Sequence, residues 1–421
     1  MVSLPARADD PGVRSVAASL VAGVFLGGVG GGVAFPTLPT LGPLLGVSPL
    51  VVGIILAANR ATRLVLSTPA GEVLDRFGTR RPMIVGLFLQ GLAPFGYVLG
   101  LYADRVPVLG AAETFVLARV LWGVGSAFVF VGAFATITWV TTSDNRGRWV
   151  GYMRGGQSLG FPTGLVVGGV VTDAAGYAVA FGVAGCAGLL AAIVAAAVLP
   201  DVRPAVEGRT GLRDLPRVLG EDTRVLVVCA VNFVVRFVFG GVLLSTVVIY
   251  AGENGVRLAG LTETGVSGLV MAVGVVVSAV TTVVVGRYSD RLADRSRVTL
   301  PGLAALGVGF LVLAFVPTLA GLLAALVLVG VGVGATNPPL LAYLGDISPA
   351  DGVGKLGGVY NVFGDLGTTV GPVVALPLAA AVGLRVEYLV CASLVVLAGT
   401  LVARRLVGRV DPAAASVADD D

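Results

Sequence analysis

Five ionisable side chains, Arg60, Arg63, Arg119, Arg236 and Asp365, sit inside stretches that are otherwise apolar for about 20 residues at a time. A charge at membrane depth is costly when it faces lipid, so each is expected to face protein or water and to serve a function. Asp365 is the carboxylate nearest the centre of such a stretch, and a carboxyl group can take up and release a proton where a guanidinium cannot. It is therefore the expected coupling group, with a structural ion pair to Arg236 as the alternative. Arg60 and Arg63 are three residues apart and share a helix face. Four Arg against one Asp is an excess of positive charge that suits an anionic substrate, although Arg63 lies close enough to the end of its stretch to snorkel outward. With the nearby amides they give an expected substrate cavity of Arg60, Arg63, Gln157, Asn232, Arg236, Asn337 and Asn361; Asn59 is a further polar neighbour.

Other chemistries are excluded by what the chain lacks. It contains no His, which removes a Ser-His-Asp triad, a His-bearing zinc site and a His proton relay. Its three cysteines, Cys186, Cys229 and Cys391, lie singly in apolar stretches, where they read as small apolar fillers and not as a disulfide framework or metal cluster. Repeated glycines such as Gly330, Gly332 and Gly334 lack the preceding strand that a phosphate loop needs. No catalytic residue, cofactor or metal is expected, and no nucleic-acid partner.

The elements that position these residues follow from composition. The 421 residues are 56% hydrophobic and 13% charged, with a mean hydropathy of +0.94, more apolar surface than one water-soluble core can cover. Alternating strands of a membrane barrel are absent, so the apolar stretches read as helices crossing a lipid bilayer. Twelve are expected, near 16–38, 49–70, 82–102, 112–137, 149–171, 177–199, 224–250, 264–286, 298–316, 320–343, 356–379 and 386–407. The expected fold is all-α, with two six-helix bundles over 16–199 and 224–407 joined by a polar linker at 200–223, a retained tail at 1–15 and an acidic tail at 408–421. With the N-terminus in the cytoplasm, 21 of the 28 Lys and Arg fall on the cytoplasmic side; Arg105, Arg257 and Arg385 fall outside, and four lie within spans. That asymmetry satisfies the positive-inside rule for a multi-pass protein of the cell membrane with both termini cytoplasmic. A monomer is expected.

The two halves also match each other. A shift of 207 residues places "ARVLWGVG" at Ala118 on "ALVLVGVG" at Ala325, and carries Asp144 onto Asp351, Arg148 onto Lys355 and Gly160 onto Gly367. Internal repeats of this kind are the layout of secondary transporters. Between spans two and three, "GEVLDRFGTRRP" concentrates five charges. A shift of 215 gives it a degenerate twin, "GRYSDRLADRSR", in the second half.

Gly71, Asp75, Arg76, Gly78, Arg80 and Arg81 match G-x-x-x-D-R-x-G-x-R/K-R/K, the loop signature of the major facilitator superfamily, which the chain resembles along essentially its whole length. Arg119, with Gly123 and Gly125, is similar to the family's fourth-helix motif, whose buried Arg the resemblance associates with proton transfer. Pro36-Thr37-Leu38-Pro39 resembles the end of helix one in the twelve-helix drug:proton antiporters. It can also be read simply as a helix stop, since Pro lacks the amide donor. Gly156, Gly160, Pro162 and Gly164 resemble the antiporter motif G-x-x-x-G-P with its Pro displaced by one position, and Gly367 to Gly371-Pro372 carries the pattern undisplaced. The spacing of four in the first set is equally a stripe for close helix packing and bending.

The resemblance implies a secondary active transporter with alternating access, exporting a small organic molecule against proton entry, its substrate handled between the halves. Uptake or exchange of an organic anion through an Arg-lined cavity is the alternative, and a non-transporting membrane sensor a third reading. The resemblance also makes Asp75, with Arg76, Arg80, Arg81 and the twin's Asp290 and Arg291, parts of a gate that meets the start of span eleven. Asp75→Asn is expected to favour inward-facing states and impair cycling, which accessibility labelling of cytoplasmic cavity positions would detect; unchanged labelling would refute the idea.

Overall fold

The computed structural model describes residues 11–103, 109–141, 143–200, 202, 222–258, 260–292, 294–348 and 353–408. The expected tails at 1–15 and 408–421 and the linker at 200–223 lie largely outside them. Twelve helices among the described residues are long and apolar enough to cross a membrane. They are α1 (Pro11–Leu44), α2 (Pro49–Phe77), α3 (Arg80–Leu101), α4 (Ala111–Val140), α5 (Ser143–Val166), α6 (Tyr177–Val198), α7 (Thr223–Arg236), α8 (Glu263–Ser289), α9 (Ser296–Phe315), α10 (Leu319–Asp346), α11 (Val353–Val382) and α12 (Leu384–Arg405). Two of them continue past a π-helical turn: α5 through Val167–Val171 into Thr172–Ala175, and α7 through Phe237–Leu243 into Leu244–Glu253.

Two local expectations are corrected. Pro36 and Pro39 do not end the first helix, which runs on through Pro43 to Leu44. The Thr37 and Thr40 hydroxyls donate to the carbonyls of Val33 and Thr37, local bonds of the kind that let prolines persist in membrane helices. The charged "GEVLDRF" run is not loop either: α2 continues to Phe77, and only Gly78 and Thr79 separate it from α3. Gly78 stops α2 at φ 79°, in the positive-φ region that glycine adopts without strain. Arg76, in the last turn, complements the helix dipole. Of the three cysteines, Cys229 and Cys391 are buried as expected of fillers, whereas Cys186 is exposed on the apolar surface of α6.

The chain divides into two compact units: 1–207 with 247–272, and 208–246 with 273–421. In the first unit, Gly156, Gly160, Gly164 and Gly168 of α5 lie against α1. A Cβ on Gly160 or Gly164 would stand 2.1 Å from the carbonyl oxygen of Phe25 or Val29. In the second unit, a Cβ on Gly367 of α11 would stand 2.4 Å from the Phe233 carbonyl oxygen and one on Gly371 would stand 2.3 Å from the Gly241 Cα. The shift of 207 thus joins residues that do the same packing. It does so again on α4 and α10, where Gly123 meets Asn59 of α2 and Gly330 meets Gly274 of α8, while Gly125 meets Gly86 of α3 and Gly332 meets Gly302 of α9.

Residues 247–272, which end the continuation of α7 and begin α8, belong to the first unit, where α8 crosses α5 closely. A Cβ on Gly268 would lie 2.3 Å from the Leu165 carbonyl, and Gly169 packs on Gly268. Just beyond this crossing, Asp173 caps α8: its carboxylate accepts from the Thr262 N–H at 2.6 Å and from the Thr262 hydroxyl. A carboxylate at a helix N-terminus meets the positive end of the dipole. In the second unit, Asp294 accepts from the Ser296 amide at 3.1 Å, from the Ser296 hydroxyl and from the Gly408 amide at 2.9 Å, tying the end of α12 to the α8–α9 connection.

Burial of Asp294 would raise its pKa, but the hydrogen bonds from Ser296, Gly408 and Arg297 outweigh it and hold the carboxyl below its ordinary value. A depressed folded pKa contributes stability above the ordinary value of 3.8 that is lost as pH falls through the folded one. The gap in thermal stability between the native chain and Asp294→Ala should therefore be present at neutral pH and close below about pH 4; a gap independent of pH would contradict this. For the α8 cap, a double-mutant cycle of Asp173→Ala and Thr262→Val, followed by unfolding in detergent, should give a coupling of about 1 kcal/mol. Additive effects would show that the hydroxyl's bond to Asp173 contributes nothing.

Candidate functional site

In the first unit the polar centre is Arg119 on α4, the largest fully buried side chain and only 1% exposed. Its Nε donates to the Ile55 carbonyl at 3.1 Å and its Nη2 to the Leu56 carbonyl at 3.0 Å and to Asn59 Oδ1 at 2.6 Å. Its Nη1 reaches the Tyr97 hydroxyl at 3.5 Å. Gly123, one turn along α4, makes this possible, because a Cβ there would stand 2.6 Å from the Asn59 carbonyl. The guanidinium is thus solvated by amide and phenol dipoles of α2 and α3, which offset the cost of burying a cation.

Arg60 and Arg63 follow on α2, both half-buried, and Arg63 lays its guanidinium on the Phe130 ring of α4, 5.0 Å from the centroid. Gln157 is half-buried on α5 next to Gly156, whose Cβ would meet the Val21 carbonyl at 2.9 Å. Pro162 is buried five residues before the π-helical turn of the same helix, and Pro372 is buried beside Gly371 on α11.

In the second unit, two of the expected cavity residues, Asn232 and Asn337, converge on one that the sequence did not single out, Tyr360 of α11. Asn232 on α7 donates its amide to the Tyr360 carbonyl at 2.7 Å, and the Tyr360 hydroxyl donates to Asn337 Oδ1 on α10 at 3.1 Å. Only the amide nitrogen can face a carbonyl, so Asn232 Oδ1 is fixed as an acceptor, and it is buried with no hydrogen-bond partner. Gly364 lets α11 approach here: its Cβ would lie 2.8 Å from Asn232 Nδ2 and 3.3 Å from Arg236 Cγ. Arg236, one turn after Asn232, is exposed. Asp365 follows Gly364 and is half-buried, with Asn361 exposed one turn before it. The Thr368 and Thr369 hydroxyls bond back to the carbonyls of Gly364 and Asp365.

The residues expected to form the gate divide. Gly71 and Gly78 are buried, whereas Asp75, Arg76, Arg80 and Arg81 are exposed. Arg80 donates from Nη2 to the Ala196 carbonyl at 2.9 Å, and Arg76 lies 5.4 Å from the Phe77 ring. In the twin, Asp290 and Arg291 are both exposed, and the cation that organises the connection is Arg295, 4.0 Å from Asp290 and 3.3 Å from Asp346. A further carboxylate escaped sequence reasoning. Glu387 lies in the first turn of α12, 1% exposed, with neither oxygen hydrogen-bonded. Nothing in its local sequence separates it from an interfacial residue at a span end.

Among the described residues no group of three His, Cys, Asp or Glu could hold a metal ion. The family model for the Major Facilitator Superfamily matches residues 20–266 and 260–419. Multidrug resistance protein 1 of Bacillus subtilis is 26% identical over 361 residues, covering 84% of this chain and 87% of that protein. Quinolone resistance protein NorA of Staphylococcus aureus is 27% identical over 178 residues, 42% of this chain and 43% of NorA. In fold the chain is similar to a bacterial homologue of the human lysosomal transporter Spinster (TM-score 0.75, 16% identity, 96% of this chain and 98% of that one) and to a D-xylose-proton symporter (TM-score 0.75, 16% identity, 95% and 99%). Twelve apolar helices, a packing repeat between the halves and a family match over nearly every residue lead to one assignment: this chain belongs to the Major Facilitator Superfamily.

Proposed function

We propose that this protein is a proton-coupled exporter of a small organic molecule, working by alternating access in the cell membrane with both termini cytoplasmic. The observation that carries the reading is the surroundings of Asp365: a carboxylate in the middle of α11, next to Gly364, where Asn232 and Arg236 meet that helix. A titratable group beside a hydrogen-bonding network lets one protonation event alter how the network holds a ligand. Asp365 is the proton carrier in this scheme, and Arg119 supplies a fixed positive field in the first unit. Arg60, Arg63, Gln157, Asn232, Arg236, Asn337 and Asn361, now joined by Tyr360, bind substrate. The drug-resistance relatives support export of an organic compound.

A second reading, exchange or uptake of an organic anion, is favoured by Arg236, which is exposed one turn from the buried Asn232. Proteoliposomes with an imposed pH gradient separate the two. For the exporter, Asp365→Asn abolishes proton-driven transport while substrate-substrate exchange persists, and Arg236→Gln leaves transport of neutral or cationic compounds measurable. For the anion carrier, Arg236→Gln abolishes uptake of carboxylates or phosphates. Unaltered proton-driven transport in Asp365→Asn would remove that residue from the coupling scheme.

A further inference from the structure

The first unit carries a concavity lined by none of the polar residues above. It lies between α3 and α6, has a volume of about 480 Å³, and sets Ile84, Val85 and Phe88 opposite Ala192, Ile193 and Ala196. The small side chains of Ala192 and Ala196 leave the space, and Phe88 and Ile193, 49% and 66% exposed, border it. Every lining residue is apolar, so the groove offers nothing to a polar solute but fits a hydrocarbon chain.

One end of the groove is charged. Arg80 donates to the carbonyl of Ala196, itself a lining residue, which holds the guanidinium on the groove wall. That bond uses one of the five N–H donors a guanidinium has. Arg81 is exposed beside it, and Arg81, Val85 and Phe88 are spaced i, i+4 and i+7, one face of α3. Phe88 stands about 12 Å from Arg80 along the axis at 1.5 Å per residue, comparable to one leaflet's half of a hydrocarbon core of roughly 30 Å. Cations at one end and a hydrocarbon-lined channel of leaflet depth behind them match the two parts of a lipid.

We propose that this groove binds one anionic phospholipid from the surrounding bilayer, with its phosphate on Arg80 and Arg81 and an acyl chain along Ile84, Val85, Phe88 and Ile193. The charge complementarity selects the occupant. A zwitterionic lipid fills the groove equally well but brings no net charge to the two guanidinium groups, and a second copy of the chain would need a carboxylate to meet them.

Delipidated protein in detergent, offered dioleoylphosphatidylglycerol or dioleoylphosphatidylcholine and examined by native mass spectrometry, tests this. One phosphatidylglycerol should be retained about thirtyfold more tightly than phosphatidylcholine, the factor that two basic residues near a membrane surface supply. Arg80→Gln with Arg81→Gln should reduce that ratio to near one, and Arg80→Lys with Arg81→Lys should keep most of it. Ala196→Phe, at an exposed position, should weaken retention of both lipids by filling the groove. Should the Gln pair fail to fold, raising the salt concentration on the native chain must shrink the preference. Equal retention of the two lipids, a preference that survives the Gln pair or high salt, or a dimer that Ala196→Phe abolishes with lipid binding unchanged would each overturn the proposal.

Discussion

In hydrocarbon there is no hydrophobic force between helices, so they are held by close packing and interhelical hydrogen bonds, both of which need backbones that can come close. That constraint is met by glycine at several crossings: Gly160 and Gly164 under the carbonyls of Phe25 and Val29, Gly367 under that of Phe233, Gly371 on the Gly241 backbone, and Gly268 under the Leu165 carbonyl. At these separations a Cβ collides with backbone, which cannot swing aside as a long side chain can. The crossings are therefore either intact or displaced as a whole.

Close approach also settles where polar groups can live. Arg119 reaches the carbonyls of Ile55 and Leu56 because Gly123 brings α2 within its span, and Asn232 reaches the carbonyl of Tyr360 because Gly364 brings α11 against it. In both units a helix-packing glycine and a buried polar contact form one device. The dipoles that stabilise a guanidinium or an amide in a low-dielectric interior are those exposed by the missing side chain.

The helices, the family and the repeat were legible because each leaves a periodic or motif-length trace in the sequence. The glycine stripe on α5 could be read as packing for the same reason, and its contacts with α1 are those of a packing stripe. What was not legible depends on partners distant in the chain. Tyr360 is an ordinary tyrosine until Asn232 and Asn337 are brought to it, and Asp173 is an ordinary carboxylate until α8 starts beside it. Pro36 and Pro39 read equally as a helix stop; the side-chain bonds of Thr37 and Thr40 accompany a helix that continues. The π-helical turns over Val167–Val171 and Phe237–Leu243 leave no motif, and beyond each one an α-helical wheel drawn from the sequence is out of phase by about 100°.

The glycine crossings also bear on how this protein can change over generations. A glycine codon has no first- or second-position replacement that still encodes glycine, so every such change at Gly160, Gly164, Gly367 or Gly371 that still encodes a residue introduces a side chain where backbone already stands. The exposed apolar faces, carrying residues such as Val284, Val396 and Leu397, accept exchange among Val, Leu and Ile with little consequence, because lipid adapts to them. Substitution is thus costly at the seams where helix meets helix and cheap on the exposed apolar faces. The two halves match at those seams, at Gly160 with Gly367 and Gly164 with Gly371, where most of the residues around them differ.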